Sequence, residues 1–219
     1  MIQRDQTSIL VAEMTSALSR IAALKKEKLY DDAIDQINHT LHTDLGLSPR
    51  FVKGLTAGDL LGMFHSGFIS AERLIVLAKL LQERADINWV QGQPDNGLIR
   101  TIKALTLYLE VFDKGRQSVF AEYFSDIELL AGNLGDYQLP ADTCKKLFRY
   151  YEQAGKFSKA EDVLFEGLET SADSGWLQEG RSFYERLSAK SDEELAAGNL
   201  PREELEESQA DLARFNSRD

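Results

Sequence analysis

The stretch Leu147-Phe-Arg-Tyr-Tyr-Glu-Gln-Ala-Gly155-Lys-Phe157-Ser-Lys-Ala160-Glu-Asp-Val-Leu164-Phe-Glu-Gly167-Leu168 decides the fold. It reads as two helices joined by a tight turn. Leu147, Tyr151 and Ala154 share one helical stripe, and Ala160, Leu164 and Leu168 form the next at four-residue spacing. Gly155 stops the first helix, because glycine accepts the left-handed backbone of a C′ position without a Cβ clash. Its φ is therefore predicted to be positive. Phe157 packs back across the turn. This is the grammar of a helical hairpin, and it speaks to architecture rather than to chemistry.

Working outward, the same grammar recurs. Tyr30-Asp-Asp-Ala33-Ile-Asp-Gln-Ile37-Asn-His-Thr-Leu41 parallels Phe157 to Leu168, with an aromatic three residues before an alanine and large aliphatics four and eight residues after it. Lys103-Ala104-Leu105-Thr-Leu-Tyr108 is a third candidate, with Gly92 in the turn before it. The alanine is where two helices approach closely. A lone hairpin cannot bury both its faces, so stacked neighbours must supply the core.

Helices are predicted from Asp5 to about Glu27, Asp31 to Thr43, after Thr56, Ser70 to about Gly92, and through Leu98, Ile102, Leu105, Leu109 and Phe112. Others run from Ser118 to about Leu134, through the hairpin, through Trp176, Phe183 and Leu187, and from Pro201 to about Phe215. Thr56 with Asp59, and Ser191 with Glu194, have the outline of capping boxes. Leu74, Leu77, Leu81 and Ala85 are predicted to face inward. The loop 135–140 separates the hairpin from what precedes it. Pro49, Pro94, Pro140 and Pro201 are read as lying between helices, since proline cannot donate to a helix ladder. No alternating run of Val, Ile and aromatics is found, so no sheet is expected.

These units resemble tetratricopeptide repeats. Leu147, Tyr151, Gly155, Phe157, Ala160, Leu164 and Leu168 match that motif; Phe148 stands where its first glycine would be and Gly167 where its later alanine would be. The resemblance implies an all-α, right-handed superhelix of antiparallel hairpins. It would make residues 1–219 a single helical-repeat domain, with 192–219 as an acidic C-terminal capping helix or arm. The whole chain also resembles an uncharacterised bacterial family, a domain of unknown function, through Met1-Ile-Gln-Arg-Asp5, Lys28-Leu-Tyr-Asp-Asp-Ala33 and the hairpin at Gly155. That second likeness implies no activity.

Composition narrows the function. The 219 residues carry a net charge of −11, and 192–219 hold nine acids against three arginines, so over half of that charge lies in the last eighth of the chain. Nucleic acid and anionic membrane are therefore not expected as partners. A single cysteine, Cys144, excludes an internal disulfide and reads as a buried, inert thiol. No run of about 18 apolar residues occurs and the N-terminus is polar, so a cytoplasmic location is expected.

Chemistry-bearing constellations are few. Asp35, His39 and His42 fall at i, i+4 and i+7 on one helix face, yet no fourth ligand or placed base is identifiable; a solvated face with no metal is expected. No phosphate-binding glycine loop, nucleophile elbow or Cys-His pairing is present, so neither a cofactor nor an enzyme activity is expected. Trp89 and Trp176 are read as core. In the resembled repeats, the first helix of each unit lines the concave side. On this chain that selects Lys145, Arg149 and Glu152 as partner-binding residues. Lys145 and Arg149, at i and i+4, could present two donors to an acidic or C-terminal peptide. The expected function is a non-enzymatic protein-interaction module presenting a helical groove to an unidentified peptide or protein. The alternative is a self-associating structural protein, a homodimer through its terminal helices.

Overall fold

Every described element is an α-helix, and no strand occurs among the described residues. The computed structural model describes residues 2–67, 69–114, 123–135, 137–170 and 175–215, with side chains described within 12–212. The helices are α1 (Ile2–Lys26), α2 (Tyr30–Thr43), α3 (Pro49–Gly54), α4 (Ala57–His65), α5 (Ala71–Val90), α6 (Pro94–Asp113) and α7 (Ser125–Leu134), followed by α8 (Ala141–Gln153), α9 (Phe157–Thr170), α10 (Gly175–Ser188), α11 (Asp192–Ala197) and α12 (Arg202–Phe215). The chain forms two compact units, Met1–Gln138 and Leu139–Asp219, where the sequence reading drew one continuous domain.

In the first unit α5 is the central helix. Leu74, Leu77, Leu81 and Ala85 are buried as expected, and so are Ile75, Val76, Ala78, Leu80 and Ile87 on its other faces. Apolar residues on more than one face require packing partners on more than one side. The α5–α6 pair is the most extensively packed in the unit, and α1 and α2 pack on each other and on α5. Lys25 Nζ ties α1 to α5, donating to Glu83 Oε2 at 2.7 Å and Asp86 Oδ2 at 2.8 Å. Lys79 Nζ ties α5 to α7 through Asp126 Oδ2 at 3.1 Å.

Both capping boxes form: Asp59 N donates to Thr56 Oγ1 and Thr56 N to Asp59 Oδ2, and the same exchange links Ser191 with Glu194. Two proline positions need correction. Pro49 and Pro94 do not separate helices but open α3 and α6. The first helical position has no N–H partner to lose, and proline's fixed φ suits it. The helix α3 was not anticipated, because six residues are too few to show a period. The expected start of α7 near Ser118 lies outside the described residues.

One turn type recurs through both units. Gly155 has φ 71°. Lys156 N donates to Tyr151 O at 2.8 Å and Gly155 N to Glu152 O at 3.1 Å, the paired bonds of a Schellman turn. The same pair of bonds closes α1 at Lys28, α5 at Gly92 and α11 at Asn199, all with positive φ.

In the second unit α8 and α9 form the expected hairpin, α10 packs on α9, and α12 packs on α10. Phe157, Ala160 and Leu164 are buried, while Leu168 is half-buried. Phe148, Trp176 and Phe183 form an aromatic cluster, with Phe148 ring centroids 6.0 Å from Trp176 and 5.2 Å from Phe183. Two departures from the repeat motif thus acquire a reason. Phe148 fills the space between α8 and α10, and Gly167 leaves room for the Trp176 indole. The α11–α12 turn closes on the hairpin turn, with Ser158 N donating to Gly198 O at 3.1 Å. The acidic last helix is packed down through the buried Leu205 and Leu212.

Candidate functional site

A pocket of about 280 Å³ opens in the first unit among α2, α3, α5 and α6. Each helix contributes residues at helical spacing. From α2 come Ile37, Asn38 and Leu41, and from α3 Arg50, Val52 and Lys53. From α5 come Leu80, Leu81 and Arg84, and from α6 Asn96, Ile99, Arg100 and Lys103. The i, i+3, i+4, i+7 stripe of α6 carries all four of its residues to one face. The floor is buried aliphatic surface from Ile37, Leu41, Val52, Leu80 and Leu81.

The charge is one-sided. Arg50, Lys53, Arg84, Arg100 and Lys103 all line the pocket, and among the described residues no carboxylate does. This stands out in a chain with net charge −11. Arg84 Nη1 is buried with no hydrogen-bond partner among the described residues. Burial pushes the Arg84 pKa down, and Asp31, which does not line the pocket, opposes that. Burial and the neighbouring Arg84 both push Arg100 down. Arg100 Nη1 donates to Asn96 O on its own helix at 3.1 Å. Lys103 is 7% exposed. Its Nζ donates to Val52 O and Lys53 O, both at 3.3 Å, so it satisfies carbonyls at the C-terminal end of α3. Burial and Arg100 lower its pKa, and Asp59 opposes them.

Buried charge without a partner is costly, and the ordinary remedy is a pairing carboxylate. Here Arg84 repels Arg100 and Arg100 repels Lys103, while the carboxylates that act on Arg84 and Lys103, Asp31 and Asp59, lie outside the pocket lining. The arrangement can bind and orient an anion. The described lining residues include no carboxylate, cysteine or histidine.

The structure also locates the residues singled out from sequence. Lys145 and Arg149 line a cleft of about 180 Å³ with Phe148, Gly175, Trp176 and Glu179 in the second unit. Glu152 is not part of it. Arg186 holds Glu152 through Nε to Oε1 at 2.6 Å and Nη2 to Oε2 at 2.9 Å. Asp35 and His39 border a surface depression with Arg20, without His42. No group of three His, Cys, Asp or Glu residues able to hold a metal occurs among the described residues. His65 Nε2 lies 2.7 Å from Glu110 Oε1. Cys144 is buried, and burial pushes its thiol up to about 11. Trp176 is core. Trp89 is half-buried, seated over Gly97 and donating from Nε1 to Thr101 Oγ1 at 3.3 Å.

Sequence reasoning missed the five pocket cations. Their one local signal is Arg100 and Lys103 with Asn96 beside the apolar stripe of α6, a pattern that many solvated helix faces share. Arg84 carries no signal at all, because its neighbours in space come from α2, α3 and α6.

The fold and the pocket define an all-helical protein of paired helices with a cation-lined, aliphatic-floored cavity. The chain belongs to the family of unknown function DUF6483, whose model matches residues 1–217. No curated protein and no solved structure matches it. Among the described residues no helix is long and apolar enough to cross a membrane.

Proposed function

We propose that this protein is a non-enzymatic binding module, and that the pocket of its first unit captures the anionic group of a ligand or partner. One observation carries the reading: Arg84 Nη1 is buried and unpartnered among cations with no lining carboxylate, as described above. A buried charged donor without a hydrogen-bond partner survives selection for stability where function needs it. The hairpins at Ala33 and Ala160 support a tetratricopeptide-like stack as the scaffold, and the single cysteine accords with a cytoplasmic setting. The measurement is thermal unfolding of the full chain in graded inorganic phosphate at constant ionic strength. A site in the folded state should raise Tm through mass action, and Arg84→Gln should abolish the rise. An equal rise in both proteins would count against the pocket.

A second reading rests on Lys145 and Arg149, which share the cleft beside Trp176 and Glu179. Two cations in one cleft support capture of an acidic or C-terminal peptide by Lys145 and Arg149, without Glu152. Because Lys145 is half-buried and Arg149 exposed, Lys145→Glu with Arg149→Glu is first shown to be folded by circular dichroism. Loss of salt-sensitive peptide capture in that variant would support the reading, and unchanged capture would sink it.

A further inference from the structure

We infer, resting on the anion-capture reading above, that the first-unit pocket takes a phosphate monoester carrying a short apolar body, held as a soluble molecule. Three observations converge on this ligand. The first is charge. Arg84, Arg100 and Lys103 face one cavity without a lining carboxylate. A monoanion would offset only one of three cations, of which Arg84 repels Arg100 and Arg100 repels Lys103. A phosphate monoester brings about two negative charges and three acceptor oxygens, which suits two planar guanidinium forks.

The second observation is donor supply. Arg84 Nη1 has no partner among the described residues. Lys103 already gives hydrogens to the carbonyls of Val52 and Lys53. Its ammonium has a third to offer. The ligand's head is thus met by donors that the fold holds in place, which lowers the ordering cost of binding.

The third observation is the floor. Leu80 and Leu81 sit one helical turn before Arg84 on α5, and Val52 lies between the cations Arg50 and Lys53 on α3. Inorganic anions do not use such a surface. At the rim Ile99 is 52% exposed, an aliphatic side chain beside Arg100 that an apolar body would cover. The volume of about 280 Å³ lies at the small end of ligand pockets. That limits the body to a short chain or a single ring. The net charge of −11 opposes approach to an anionic bilayer, so the soluble source is chosen over a lipid headgroup.

Isothermal titration calorimetry of the full chain tests this at about pH 8, where the phosphate is a dianion. The probes are octyl phosphate below its micelle threshold, octanoate and inorganic phosphate. Octyl phosphate should bind with unit stoichiometry, about tenfold or more tighter than either of the others. Ile99→Ser should weaken octyl phosphate and leave inorganic phosphate unchanged. Arg84→Gln, shown to be folded by its circular dichroism, should weaken octyl phosphate about tenfold. Equal affinity for inorganic and octyl phosphate would overturn the apolar body while leaving anion capture standing. Octanoate binding as tightly as octyl phosphate would overturn the dianion in the same way. Failure of all three probes would bring down the anion-capture reading itself. Co-sedimentation with phosphatidic acid vesicles should leave the protein in the supernatant, and pelleting would overturn the soluble source.

Discussion

The indole of Trp176 occupies the space that a Cβ on Gly167 would need, with its Cδ2 2.6 Å from that position. Two helices, α9 and α10, can approach as they do only because one of them lacks a side chain there. Trp89 stands in the same relation to Gly97, where a Cβ would lie 2.8 Å from the indole Cδ2. Each tryptophan is thereby packed on a glycine of a neighbouring helix.

Gly167→Ala is expected to destabilise the protein. Alanine gains up to about 1 kcal/mol of helix propensity over glycine. Overpacking of a fixed core costs about 1–3 kcal/mol and wins, because Trp176 is 1% exposed and has nowhere to move. Gly97→Ala should lose less, since half-buried Trp89 can swing outward. Denaturant midpoints of the two variants decide the order, and an equal loss would contradict this account.

Lys28 and Gly155 close helices with the same turn, at φ 61° and 71°. A residue with a Cβ carries a penalty of about 1 kcal/mol or more in that region. Lys28→Gly should therefore stabilise the protein by about 1 kcal/mol, as the exposed lysine gives up little. Gly155→Val should destabilise it by more than about 1 kcal/mol. Chemical denaturation of both variants should move the midpoint in opposite directions.

Arg84→Met replaces a half-buried guanidinium, whose Nη1 is buried without a hydrogen-bond partner among the described residues, by an apolar group of similar length. Relief of an unsatisfied buried donor is worth about 1 kcal/mol, so the variant should be more stable than the parent in the absence of anions. It should also lose the stabilisation that phosphate gives. A variant less stable in anion-free buffer would mean that Arg84 is held by the fold rather than kept for a ligand.

Tyr184 Oη donates to Glu161 Oε1 at 2.6 Å, and both are buried. Burial raises the Glu161 pKa above its ordinary 4.5, while the hydrogen bonds from Tyr184 and Ser208 pull it back. The unfolded carboxyl loses its proton first as pH rises. Between 4.5 and the raised folded value the native state binds more protons, so stability falls with rising pH across that window. Glu161→Gln keeps an acceptor for Tyr184 and removes the charge. Its advantage over the parent in Tm should grow from about pH 4 to about pH 7. An advantage independent of pH would show that Glu161 is not the titrating group.

The helices were legible because their signals are local. Stripes at three- and four-residue spacing, the Thr56 and Ser191 caps and the Gly155 stop each depend on residues within one or two turns, and each is found where it was read. Lys28 was not legible as a stop, because a lysine at positive φ leaves no mark on composition. Glu152 was placed with Lys145 and Arg149 by spacing along α8, but its partner Arg186 lies 34 residues away.

The sequence by itself determined the helical class, most of the helix boundaries and the inward faces, since backbone hydrogen bonding and amphipathic period act over a few residues. Tertiary structure alone decided the pocket. Its cations come from α3, α5 and α6, and their one-sided charge exists only once these helices pack together. Each is an ordinary surface-type residue in its own segment. Packing half-buries Arg84 and Arg100 and buries Lys103, while Arg50 and Lys53 stay exposed at the same opening, and the described lining residues include no carboxylate.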